Sequence, residues 1–152
     1  MRSLIIIIFL NLLSIIGYSQ DWTTKFERTN YLETDNYENA IRYFEQLEKY
    51  SEFAKLKKIG ETPQGRDIFA FMVNNDKLFE FEQIKNTDKS IILIQNGIHA
   101  GEIEGKDACM LLLRDILITK TKEHLLDSVC LVIIPVLNVD GHERISKFNR
   151  IN

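Results

Sequence analysis

His99 and Glu102 are the side chains in this 152-residue sequence whose types and spacing best suit metal chemistry. They sit in Asn96-Gly97-Ile98-His99-Ala100-Gly101-Glu102-Ile103-Glu104-Gly105, where an imidazole nitrogen and a carboxylate oxygen three residues apart can close on one Zn²⁺. Gly97, Gly101 and Gly105 bracket the pair and allow the backbone to bend tightly around it. The same residues admit a plainer role, with Glu102 complementing the positive end of a following helix and His99 lying in a surface loop. His142-Glu143 looks like the start of a helical His-Glu-x-x-His zinc site, but Ser146 stands four residues after His142 and excludes it. His124, among Lys120, Lys122 and Glu123, reads as a solvated residue. Cys109 and Cys130 fall within a predicted helix and a predicted strand, where small buried hydrophobes are expected rather than nucleophiles. The sequence has no Gly-x-Ser-x-Gly elbow, phosphate loop or dinucleotide glycine motif.

The elements that must position His99 and Glu102 can be read from hydrophobic periodicity. From Asn36 to about Lys55, Ala40, Ile41, Phe44, Leu47 and Tyr50 recur at three- and four-residue steps and predict an amphipathic helix. Leu56 to Gly60 and Arg66 to Val73 predict two short strands, joined by a turn that Pro63 and Gly65 mark as a hairpin. The almost continuously apolar run Ser90 to Gly97 predicts a buried central strand. Glu102 to Thr119 predicts a helix with acidic Glu102 and Glu104 in its first turn, and Val129 to Val136 a second strand buried on both faces. Strand, helix and strand at this spacing make a βαβ crossover in an α/β sheet, whose ligands collect beyond the carboxyl ends of the strands. Two segments arrive at that edge: the His99 loop and Pro135 to Arg144. The tail from Asn138 to Asn152 reads as a polar loop with a turn at Asp140-Gly141.

Composition narrows the function classes. A formal charge of −3, from 19 basic and 22 acidic residues, offers no basic field for nucleic acid. Two cysteines without a nearby Cys or His at zinc-knuckle spacing exclude a disulfide scaffold or thiolate metal site. Residues 1–20 read as an export signal: Arg2 provides the positive start, Leu4 to Ile16 the apolar stretch, and Gly17 and Ser19 the small residues of a cleavage site. That stretch is short for a membrane span, so the mature chain is expected to be exported, periplasmic or extracellular, with no membrane span. No internal repeat or linker divides residues 21–152, which form a single expected domain.

Three ordered segments together resemble the zinc metallocarboxypeptidases of the carboxypeptidase A and B type. Gly60-Glu61-Thr62-Pro63-Gln64-Gly65-Arg66-Asp67-Ile68 is similar to the family's early Gly-x-Ser/Thr-x-x-Gly-Arg hairpin. Asn96 to Glu102 is similar to the loop carrying its first two zinc ligands, and Pro135-Val136-Leu137-Asn138-Val139-Asp140-Gly141 to its Pro-x-x-Asn-Pro-Asp-Gly segment. The resemblance implies an α/β/α domain with a mixed or parallel sheet flanked by helices, of which residues 21–152 are the N-terminal part. It also implies one zinc ion held by His99 and Glu102, with a third His supplied later in the family. The implied substrates are peptide or protein C-termini, hydrolysed by a zinc-activated water whose proton passes to a distant Glu. Arg150 lies near the family's arginine-bearing stretch and is a substrate-contact candidate.

Two positions depart from the family pattern: Val139 stands where Pro is usual, and Gly101 where the digestive enzymes carry Arg. With the third ligand and the general base expected outside this chain, no catalytic residue is assigned within it and weak or absent hydrolysis is expected. A related zinc deacylase or amidase shares the same pair of ligands. A binding module that keeps the fold without the site is the alternative from another class.

Overall fold

A computed structural model describes residues 20–146. Arg150 and, apart from Gln20, the expected export signal lie outside the described residues. The first element, α1 (Lys25–Arg28), is a single turn closed by a capping box. The Thr24 hydroxyl accepts from the Glu27 amide at 3.3 Å, and the Glu27 carboxylate accepts from the Thr24 amide at 2.9 Å. The longer α2 (Tyr37–Tyr50) begins where the Asn36 side chain accepts from the Asn39 amide at 2.9 Å. Its apolar stripe, Ala40, Phe44 and Leu47, is fully buried, in the register that the periodicity predicts, but the helix ends at Tyr50 rather than near Lys55 and leaves Tyr50 exposed.

Then follow β1 (Ala54–Glu61) and β2 (Asp67–Val73), the expected antiparallel hairpin, with a register shift between Lys58 and Gly60. After the short α3 (Phe81–Ile84) come β3 (Ser90–Gln95), α4 (Glu104–Leu117), a 3₁₀ turn (Glu123–Asp127), β4 (Val129–Ile134) and α5 (Val139–His142). The sheet order is β1-β2-β4-β3, with β2 and β4 antiparallel and β3 and β4 parallel. The parallel pair joined by α4 is the expected βαβ crossover.

Register shows what each face holds. Phe71 and Val73 of β2 lie opposite Ile133 and Leu131 of β4, and these four share one cluster with Phe44 and Leu47 of α2 and Met110, Leu113 and Ile116 of α4. Both long helices therefore pack on the same face of the sheet. Phe44 meets Phe71 edge-on, with ring centroids 5.2 Å apart. The segment before α2 is tied to the same body: Arg114 of α4 makes two bonds to the Glu27 carboxylate, at 2.7 and 2.8 Å, and a third to the Trp22 carbonyl. Those bonds pull the Glu27 carboxyl down to about 2, against partial desolvation.

Three further expectations need correction. β3 is not a buried central strand: it is the edge of the described sheet, with Ile91, Ile92 and Leu93 exposed by 37%, 42% and 57%. An unbroken apolar run fixes the extended conformation but not the strand's place in the sheet, and among the described residues β3 pairs only with β4. Second, α4 starts two residues later than expected, so its first-turn acids are Glu104 and Asp107, and Glu102 belongs to the preceding turn. Third, Asp140-Gly141 is not an open turn but the middle of α5, capped by the Asn138 side chain, which accepts from the Gly141 amide at 3.0 Å.

Candidate active site

Two loops leave the carboxyl ends of β3 and β4 side by side, because backbone pairing continues past both strands. The Asn96 amide donates to the Ile134 carbonyl at 3.1 Å, the Leu137 amide to the Asn96 carbonyl at 2.9 Å and the Asn138 amide to the Gly97 carbonyl at 2.9 Å. Gly97 makes this approach possible. Its φ is +58°, and a Cβ there would fall 2.9 Å from Val136 Cγ1 and 3.3 Å from Val136 Cα. Gly105, in the first turn of α4, is equally constrained, since a Cβ would lie 2.4 Å from Asn96 Oδ1. Asn96 in turn donates to Cys109 Sγ at 3.3 Å, fixing strand end against helix.

His99 and Glu102 occupy the turn between β3 and α4, which is closed by a bond from the Glu102 amide to the His99 carbonyl at 3.1 Å. His99 is exposed and Glu102 half-buried. An imidazole and a carboxylate are donors that zinc takes readily, yet a catalytic zinc site uses three protein ligands. Among the described residues, no three His, Cys, Asp or Glu side chains gather to hold a metal ion. The turn thus suits zinc in donor type and falls short in donor number.

The third motif is braced to the first through one carboxylate. Asp140 Oδ1 accepts from the Thr62 hydroxyl at 2.9 Å and from Arg66 Nη1 at 2.6 Å, while Oδ2 accepts from the Gln64 amide at 3.2 Å. Thr62 Oγ1 also accepts from the Arg66 amide at 3.0 Å, and Gly65 completes the hairpin turn with φ +78°. Desolvation opposes ionisation of Asp140, but the bonds from Arg66, Thr62 and Gln64 outweigh it and hold its carboxyl below the usual range. Spacing within one motif could not reveal this contact, which joins residues 74 to 78 positions apart.

Sequence reasoning also missed what lies beside the clamp. His142 is buried and its Nδ1 donates to Glu143 Oε1 at 2.9 Å, an oxygen that accepts from the Tyr37 amide at 2.9 Å. The bonds from Tyr37 and His142 keep the Glu143 carboxyl low despite its desolvation. Tyr37 donates its hydroxyl to the Asp67 carbonyl at 2.7 Å, and burial drives its phenol upward. A cleft of about 500 Å³ opens here, lined by Tyr37, Arg42, Arg66, Phe69 and Glu143 among others. His124 is exposed, as expected, and both cysteines are free and buried, with their thiols pushed up by burial. The described residues contain no helix long and apolar enough to cross a membrane.

A mixed α/β sheet with motif-bearing loops beyond the ends of a parallel strand pair defines the class of domain. The zinc carboxypeptidase family profile matches residues 40–152, and the chain belongs to that family. No curated protein sequence matches it. Carboxypeptidase A from Helicoverpa armigera is similar in structure, with a TM-score of 0.62 and 20% identity over 72% of this chain and 25% of that one. Thrombin-activatable fibrinolysis inhibitor gives 0.64 and 20% over 87% and 31%. A putative carboxypeptidase A from Shewanella denitrificans gives 0.59 and 25% over 71% and 27%. The chain thus spans between a quarter and a third of the length of these structures.

Proposed function

We propose that the chain is the N-terminal part of an exported zinc peptidase domain that acts on peptide or protein C-termini, with His99 and Glu102 as two of its zinc ligands. The observation that carries this reading is the convergence of the Asn96–Glu102 and Pro135–Gly141 loops past the ends of β3 and β4, with Asp140 fastening the second loop to the Thr62–Arg66 hairpin. A zinc ion held there would supply a Lewis acid that polarises a carbonyl and lowers the pKa of a bound water. The residues of this chain position that chemistry. Gly97 and Gly105 let the ligand loop lie against Val136 and Asn96, and the Asp140 clamp fixes the neighbouring loop as one wall of the site. Arg150 is retained as a substrate-contact candidate.

The test is metal content by mass spectrometry after dialysis against micromolar zinc, for the wild type and His99→Ala. Two protein donors give weak, His99-dependent retention, and a polypeptide carrying a third donor gives one zinc per chain. Zinc retention unchanged by His99→Ala removes His99 from the site. In a C-terminal release assay the 152-residue chain alone is expected to turn over peptides weakly or not at all, and robust turnover would contradict the assignment of only two ligands.

A further inference from the structure

Beside the first turn of α4 a pocket of about 230 Å³ is lined by Phe26, Tyr31, Leu32, Glu33, Glu104 and Asp107. Asp107 is 3% exposed, and its Oδ1 accepts no hydrogen bond. Its nearest cation, Lys106 Nζ, is 3.6 Å away, outside hydrogen-bond range, and donates instead to the Thr34 hydroxyl and the Asp35 carbonyl. Burial lowers the Lys106 pKa, while the neighbouring carboxylates, Asp107 first among them, hold it up. A carboxylate oxygen withdrawn from water without a donor is costly, and the side chain that carries it belongs to a residue lining the cavity.

The rest of the lining sets the chemistry of that donor. Glu33 is already paired with Lys25 at 2.9 Å, and Glu104 is exposed at the rim, so the pocket is acidic without being crowded by charge. The Phe26 and Tyr31 rings stand edge to face, with centroids 5.0 Å apart, and form an aromatic wall. Aromatic faces next to a buried carboxylate suit an organic cation, whereas a divalent metal would need more oxygen donors than gather among the described residues.

We propose that this pocket binds a primary alkylammonium group, received by the Asp107 carboxylate and covered by Phe26 and Tyr31. The group is either a free small amine or the basic side chain of a peptide. The proposal does not depend on zinc binding at His99 and Glu102.

The experiment is an NMR titration of the ¹⁵N-labelled chain with n-butylammonium chloride at constant ionic strength, with n-butanol as the neutral control. Saturable shifts confined to the amides of Tyr31–Thr34 and Ile103–Asp107, seen with butylammonium and not with butanol, are the expected result. Asp107→Asn should weaken the titration roughly tenfold or more, because it removes the charge and keeps the shape. Equal responses to the amine and the alcohol, or an unchanged titration in a folded Asp107→Asn, would overturn the proposal. Should that variant fail to fold, Leu32→Arg decides the matter: at a position 84% exposed it tethers a cation at the mouth and should abolish the butylammonium response, and wild-type binding in it would sink the idea. Nα-acetyl-lysine amide separates the two sources. Binding as tight as that of butylammonium assigns the pocket to peptide side chains, and butylammonium binding alone assigns it to free amines.

Discussion

β4 and β3 are parallel neighbours both rich in branched aliphatic residues, Val-Cys-Leu-Val-Ile-Ile against Ser-Ile-Ile-Leu-Ile-Gln, yet they occupy opposite environments. β4 has a partner on each side, and Cys130, Ile133 and the following Val136 are essentially inaccessible. β3 has one partner and shows apolar side chains on both faces. Their loops repeat the contrast: the one after β4 is capped by Asn138 and clamped through Asp140, whereas the one after β3 holds His99 exposed in a tight turn. The motif that braces is thus partly buried and bonded, and the motif that would meet a ligand is left open. Surrounding structure fixes the first, and around the second no third metal-ligating side chain gathers among the described residues.

The sharpest way to break the comparison is through the cores of the two arms. Ile133→Ala removes a fully buried side chain wedged against Phe71 and should cost about 3–4 kcal/mol in urea unfolding. A loss below about 1 kcal/mol would mean that the β4 arm is no better packed than β3. Gly97→Ala attacks the seam between the arms. A φ of +58° and a contact of 2.9 Å with Val136 should together cost about 2–3 kcal/mol, by the same unfolding measurement. Near-neutral behaviour would show that the loops separate easily.

Protonation tests the clamp without deleting atoms. The folded Asp140 carboxyl lies below its ordinary value of 3.8, so the stability it contributes is present above that value and is lost as pH falls through the folded pKa. Hydrogen exchange at the Gln64 amide should therefore quicken, relative to the intrinsic rate, as pH drops below about 4, and Asp140→Asn should remove that dependence. The same profile in both proteins would detach the hairpin from Asp140. The smallest effect on stability is expected at the β3 edge. Leu93→Lys, at a position 57% exposed, should change unfolding by less than about 0.5 kcal/mol while reducing self-association in sedimentation. A large loss of stability would place Leu93 in a core.

Legibility followed the length scale of the interaction. The α2 helix, the β1–β2 hairpin and the β3–α4–β4 crossover were readable because periodicity and turn residues act over a few positions, and the core residues of α2 follow from its stripe. The start of α4 was misread because an acidic residue near a helix N-terminus is favourable just outside the first turn as well as inside it, so charge alone does not set the boundary. The burial of Lys106 and Asp107 was invisible for a related reason: charged residues on a helix normally face water, and only the packing of the Thr34–Asp35 segment over α4 encloses them.

The sequence by itself determined the long helices, the hairpin, the strand–helix–strand crossover and the order of three motifs, and it singled out His99 and Glu102 as the pair whose side-chain types suit a metal, since each rests on residue chemistry and short spacing. The tertiary structure decided which of two similar strands is sheltered. It also decided that Asp140 joins hairpin to loop, and that Asp107 is buried beside a cavity with its Oδ1 accepting no hydrogen bond. These outcomes depend on which distant segments meet, and the energy of a buried strand or carboxylate is set by its neighbours in space rather than by its neighbours in the chain.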